Sequence, residues 1–325
     1  MPSNCNAATP QKSRESDLDA RLAKRRAVEQ LAIDGPPSEH VSPFLLRHAC
    51  RVRPLLKTAL MGVGLYRRGL RNALKPEVRC VKLAFRNLPK AFDGFRILHL
   101  ADLHIDGMDG LTEVVSEIVS ACDVDLCVMT GDYRFETYGS CAAVYPRMRK
   151  IHSEIRAEFG VLGILGNHDA AEMAFEFEEY GIRMLVNEAM ELRRQRQSLW
   201  IVGVDDPHEY QCDDLPLALE EVPPDGFKVL LAHTPEMFKE ASYCGADLYL
   251  CGHTHAGQIA LPFVGALIQN AKCPREFVQG HWQYREMQGY TSAGVGCSML
   301  PIRFNCPPEI VIVELTSLVE LTGLP

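Results

Sequence analysis

Phe95-Arg96-Ile97-Leu98-His99-Leu100-Ala101-Asp102-Leu103-His104 is the stretch that settles the class of fold. A short, mostly apolar run reads as a strand, and it leads straight into an Asp-x-His triplet. The arrangement recurs downstream. The run 126–129 precedes Gly131-Asp132, and 161–165 precedes Gly166-Asn167-His168-Asp169. The run 228–232 precedes His233, and 248–251 precedes Gly252-His253-Thr254-His255. Residues 199–204 form one more short run, and 111–120 carry helical spacing. Strands alternating with helices predict an α/β fold around a central sheet. In an open sheet of that kind, ligands gather beyond the carboxyl ends of the strands, where all five polar clusters fall.

Each cluster alone is weak, because a lone Asp-x-His arises by chance and a lone His after a strand is more often a core residue. Five together, built on Asp, His and Asn, predict a metal site. Carboxylate, imidazole and amide oxygen suit Mn, Fe, Zn or Mg without any thiolate. The candidate ligands are Asp102, His104, Asp132, Asn167, His233, His253 and His255. Seven ligands exceed the need of one ion, so the expectation is two divalent ions sharing a carboxylate, roughly 3.5–4 Å apart. Such a pair lowers the pKa of bound water from roughly 16 toward roughly 7, giving a bridging hydroxide for in-line attack on phosphorus. His168, beside Asn167, is the candidate catalytic residue, stabilising charge on the phosphate or protonating the leaving group.

Composition bounds the rest. With 325 residues, 47% hydrophobic and 23% charged, the chain reads as one large domain with an appendage, not a disordered, collagenous or coiled-coil chain. Its 34 basic and 42 acidic residues give −8, but residues 41–90 carry about +11 and the remainder about −19. Residues 1–40 read as a poorly ordered N-terminal segment, with a short helix carrying Leu18, Leu22 and Leu31 before Gly35-Pro36-Pro37-Ser38 breaks it. Residues 41–77 read as a basic helical extension, in which Tyr66, Leu70 and Leu74 recur at helical spacing until Pro76. That helix has two readings: leucines dipping into an anionic membrane surface, or an ordinary helix packed on the enzyme body. Aromatic residues are sparse among its arginines, which argues against nucleic acid as a partner. Residues 78–325 form the expected catalytic domain. A polar start, 12 cysteines without a CxxC and no 20-residue apolar run lead us to expect a cytoplasmic enzyme, peripheral on the inner membrane face if residues 41–77 bind lipid.

The set Asp102-x-His104, Gly131-Asp132, Gly166-Asn167-His168-Asp169, His233, Gly252-His253-x-His255 resembles the calcineurin-like metallophosphoesterase superfamily. The resemblance implies a four-layer α-β-β-α sandwich. It also implies that Asp102, His104 and His255 hold one metal, Asn167, His233 and His253 hold the other, and Asp132 bridges them. The run from Gly252 to Gln258, with Gly294-Val295-Gly296 and Leu300-Pro301-Ile302-Arg303-Phe304-Asn305-Cys306-Pro307-Pro308-Glu309, is similar to a narrower bacterial group of YkuE/YaeI-type phosphodiesterases, to which lipid A precursor pyrophosphatases look related. That group usually has glycine where this chain has Ala256, a small departure that leaves ligation intact. The narrower likeness favours a phosphodiester or pyrophosphate substrate over a monoester, and the basic segment suggests a lipid-linked one.

Arg134, two residues past Asp132, is a candidate substrate contact whose guanidinium can grip a phosphate or pair with an acid. Arg303 is the second such candidate, with a turn-stabilising role as its other reading. Asp169 either orients His168 or caps a helix. His99 and Cys251 read as core residues, and His208 as part of a solvated loop. Rival functions are a protein Ser/Thr phosphatase or nuclease on the same scaffold, or a scaffold protein that has lost catalysis.

Overall fold

The computed structural model describes residues 10–34, 43–261, 265–266 and 270–318. A first sheet is laid down by β1 (Glu77–Phe85), β2 (Phe95–Leu100), β3 (Leu126–Met129), β4 (Val161–Gly163) and β5 (Ile182–Met184). A second contains β6 (Glu188–Arg194), β7 (Gln197–Gly203), β8 (Phe227–Leu231) and β9 (Leu248–Cys251). After a small ribbon of β10 (Ala260–Leu261) and β11 (Gly265–Ala266), β12 (Gly280–Tyr284) and β13 (Met287–Thr291) complete that second sheet. The last strand, β14 (Glu309–Ser317), returns to the first. The strand orders are β1-β14-β2-β3-β4-β5 and β12-β13-β9-β8-β7-β6.

The two sheets stack because their strands alternate. Phe95 and Ile97 of β2, Leu126 and Val128 of β3, and Val229 and Leu231 of β8 point into a shared layer between the sheets. Leu98, Leu100, Cys127 and Met129 point the other way, onto α4 (Leu111–Ser120), α5 (Val144–Glu154) and α6 (Glu172–Glu179). Leu230, Tyr249 and Cys251 face outward from the second sheet, where α7 (Leu215–Ala218) and α8 (Phe238–Tyr243) cover them. The result is a four-layer α-β-β-α sandwich, in which each fully buried leucine or valine contributes about 1.5–3 kcal/mol. Strands β2, β3 and β4 run parallel, as do β8 and β9, so their carboxyl ends open onto one edge.

The N-terminal region differs from expectation. Pro10–Asp34, within the segment expected to be poorly ordered, form one long helix, α1. Its Leu18 and Leu22 are buried in the layer outside the first sheet, and its exposed Leu31 is not. Residues 1–9 and 35–42 lie outside the described residues. The basic segment folds as α2 (Pro43–Gly62) and α3 (Leu65–Ala73). Leu70 and Leu74 pack against the enzyme core, so the leucine seam of α3 faces protein. Gly69 sits so close to Ile302 that an added Cβ would lie 2.7 Å from the isoleucine Cβ. Among the described residues no helix is long and apolar enough to cross a membrane.

Candidate metal centre

The loops leaving the two sheets are stitched together by their backbones. Asp102 N–H donates to Gly131 O at 3.1 Å, His104 N–H to Asp132 O at 2.9 Å, and Gly252 N–H to His233 O at 2.9 Å. Five of the seven candidate ligands turn in the left-handed region: Asp102 (φ 51°), His104 (38°), Asp132 (58°), His253 (70°) and His255 (48°). Asp and His tolerate that region better than most residues, and such strain concentrates at functional sites. The glycines of the motifs exist for clearance. A Cβ on Gly252 would lie 2.2 Å from Asp102 Oδ2, and one on Gly166 2.3 Å from Asp132 Oδ1.

All seven side chains converge. Donor atoms of Asp102, His104 and His255 lie within 4.8 Å of one another, as do those of Asp132, His233 and His253. Asp132 Oδ2 is 3.5 Å from His104 Nε2 and 3.4 Å from His233 Nε2, so one carboxylate reaches both groups. Asn167 Oδ1 stands 3.0 Å from both His233 Nε2 and His253 Nδ1. His168 joins through its backbone N–H to Asp132 Oδ1 at 2.9 Å, and its Nδ1 donates to Phe135 O at 2.8 Å.

The residues fit metal ions, and the ring tautomers say why. His104 Nδ1 donates to Arg134 O at 2.7 Å, His233 Nδ1 to Thr130 O at 2.7 Å, and His253 Nε2 to Asn270 O at 2.6 Å. In the neutral rings the second nitrogen is then a bare lone pair, and a carbonyl anchor of this kind is the usual outer support of a metal-binding histidine. Two of those lone pairs meet at close quarters, His233 Nε2 with His253 Nδ1 at 3.2 Å, and the third, on His104 Nε2, lies 3.2 Å from His255 Nε2. Clustered acceptors need a cation or a proton between them. Without a metal, burial drives His104 down to about 3, the adjacent His168 adding to the effect. Burial also opposes a charge on His233, but the Asp132 carboxylate outweighs it and lifts the ring to about 10. Asp102 rises to about 7, through burial first. Burial works against the Asp132 charge too, yet His233 and His168 hold that carboxyl well below its usual range.

Both arginines expected at the phosphate are turned elsewhere. Arg134 donates from Nε to His168 O at 2.9 Å, from Nη1 to Gly139 O at 2.7 Å and from Nη2 to Thr137 O at 2.5 Å. Its fork is committed to backbone carbonyls, so it shapes the loop over His168. Arg303, fully buried, donates from Nη2 to Gly296 O at 2.5 Å and Gly294 O at 3.1 Å, with His255 Nδ1 at 3.3 Å. It backs His255 instead of facing a substrate. Asp169 accepts from the backbone N–H groups of Asp132 (2.7 Å), Tyr133 (2.8 Å) and Gly166 (2.8 Å), tying two motif loops together. The loop after β7, expected to be solvated, reaches the centre: Asn167 Nδ2 donates to Glu209 Oε2 at 3.2 Å, and the His208 ring lies 4.4 Å from that of His253. The available signal was Asp205-Asp206 placed directly after a strand, like the other clusters.

A family model described as calcineurin-like phosphoesterase matches residues 95–257. The chain is 31% identical over 241 residues to the uncharacterised metallophosphoesterase YkuE of Bacillus subtilis, covering 71% of this chain and 82% of that one. It is 29% identical over 230 residues to the phosphodiesterase YaeI of Escherichia coli, covering 68% and 82%. It is also 29% identical over 319 residues to a transmembrane protein with metallophosphoesterase domain from Danio rerio, covering 92% and 67%.

Proposed function

Because this chain belongs to the calcineurin-like phosphoesterases, a family of metal-dependent phosphoester hydrolases, we propose that it is a dinuclear phosphodiesterase or pyrophosphatase acting on a lipid-linked substrate. One observation carries the dinuclear part: Asp132 stands between two donor groups, with His104 on one side and His233 on the other. Asp102, His104 and His255 would hold one ion, Asn167, His233 and His253 the second, and Asp132 both. Bound there, the ions would polarise a phosphoryl oxygen and acidify a water for attack at neutral pH. The chain's own residues do the rest. His168, fixed through Nδ1–H to Phe135 O, turns Nε2 to the leaving oxygen; the imidazolium, with hydrogen on both ring nitrogens, gives its Nε2 proton to that oxygen and is left neutral with Nδ1–H in place. Arg134 and Asp169 keep that ring and the Asp132 loop in register.

The diester preference rests on likeness to the relative named a phosphodiesterase. The lipid linkage rests on the corner between α2 and α3. Leu55, Met61 and Val63 are exposed there, with exposed Lys57, Arg67, Arg68 and Arg71 nearby in the sequence and no acid from 41 to 76. Apolar tips with a cationic collar suit an anionic membrane surface. Helix α2 also reaches toward the centre at its middle, since Arg53 stacks 4.6 Å over Phe135, the residue that anchors His168. The test is metal analysis followed by turnover of bis-p-nitrophenyl phosphate against the monoester. Two metal equivalents and a diester preference are expected, with Asp132→Ala losing both ions and turnover. A fully active Asp132→Ala overturns the reading.

A further inference from the structure

The stripe of α1 that faces the body is made of Arg14, Leu18, Leu22, Arg25 and Glu29. The first leucine pair is ordinary packing. Arg25 is not: it is fully buried, on a helix that precedes the family match by many residues. Its Nη2 donates to Gly166 O and to Asp169 O, both at 2.6 Å, and these two carbonyls bracket Asn167 and His168. Its Nη1 pairs with the buried Asp205 carboxylate, and its guanidinium lies 3.9 Å over the Tyr210 ring. Glu29, one turn on, accepts Ala171 N–H at 2.8 Å. One planar fork therefore joins the loop after β4 to the loop after β7, and the Asn167 amide meets Glu209 of that second loop.

We infer that Arg25 is a positioning residue for the second ion: it fixes the Asn167 loop from behind, through two carbonyls that only a fork of this breadth spans together with a carboxylate. The inference rests on the dinuclear reading above. Both carbonyls meet Nη2 while Asp205 meets Nη1, so a lysine, which keeps the charge but is a single point donor, cannot hold the carbonyl pair and the Asp205 carboxylate at once. The helix itself stays docked through Arg14, which reaches Glu178 and Glu188 at 2.7 Å, and through its buried leucines.

The test loads the full-length metal-free chain with Mn²⁺ and reads binding by calorimetry and the exchange-coupled Mn–Mn signal by paramagnetic resonance. Four proteins are compared: the unaltered chain, Arg25→Lys, Arg25→Met/Asp205→Asn, and Arg14→Ala. The double variant removes the acid that Arg25→Met would strand, so that it folds even where a single change does not. Loss of an outer support costs roughly 10–100-fold in metal affinity. We expect that loss for one of the two ions in both Arg25 proteins, with the coupled signal giving way to a mononuclear one. The other ion and the circular dichroism spectrum stay unchanged, and Arg14→Ala binds both ions as the unaltered chain does. Two ions bound with unaltered affinity in a folded Arg25 protein overturn this inference alone. One ion in the unaltered chain overturns the dinuclear reading and the inference with it. Equal weakening by Arg14→Ala also overturns it, since general loosening of α1 would then suffice.

Discussion

His168 has its backbone N–H and Nδ1 committed, to Asp132 and to Phe135 O, so its ring cannot swing while Nε2 works. His168→Ala removes the donor without touching either donor group. Metal content should stay at the unaltered level while turnover falls by ~10²–10⁴, measured as kcat beside elemental analysis. Gly252→Ala is the opposite case. Its methyl would be driven against Asp102 Oδ2, so overpacking should lower stability by about 1–3 kcal/mol and reduce bound metal; urea unfolding and metal analysis check the two arms. At this scale much was legible. Asp, His and Asn after successive strands named the converging side chains, because their chemistry is uncommon in a core. The arginines were not legible. Where a guanidinium points depends on which carbonyls the folded loops leave in reach, and Gly139 O, Gly294 O and Gly296 O come into reach only once the loops close. Ala256 is intermediate: its left-handed turn (φ 49°) explains why glycine suits the position, and its methyl packs with Ala293 and Cys306.

Among the elements, β2, β3, β8 and β9 were readable because each combines apolar character with a polar cluster at its carboxyl end. Of α1 only a short helix carrying Leu18, Leu22 and Leu31 was readable, and its length and docking were not, for a physical reason. Its docking face uses cations on carbonyls, including Arg14 on Met184 O at 2.5 Å and Lys24 on Gln211 O at 2.5 Å, so it lacks the apolar stripe that marks a buried helix. The corner between α2 and α3 shows the converse, with apolar residues left outside. Replacing Met61 and Val63 by glutamate there should leave the fold within about 0.5 kcal/mol of its stability, since both are exposed. The double variant should lose co-sedimentation with vesicles containing anionic lipid while cleaving a soluble diester normally. Undiminished pelleting would count against a membrane role for that corner.

Across the whole molecule, the centre lies between two sheets in an acidic body, and protons stand in for metal charge. His233 is raised from 6.5 to about 10 in the metal-free protein, so its pairing with Asp132 stabilises the fold fully below 6.5 and loses that effect as pH rises through about 10. A cation taken up at this ring must displace the proton. Metal uptake at pH 8 should therefore release protons, and apparent affinity should climb with pH; an indicator dye in weak buffer reads the first, and absence of release refutes it. The sandwich has one further consequence, which follows from where β14 lies. It is slotted between β1, its parallel neighbour, and β2, its antiparallel one. Translation delivers it after every other described strand. Until then the nascent chain holds two raw borders facing an empty groove, a state that invites chaperone capture and intermolecular pairing. Only the emergence of β14 joins those two borders and makes the first sheet continuous.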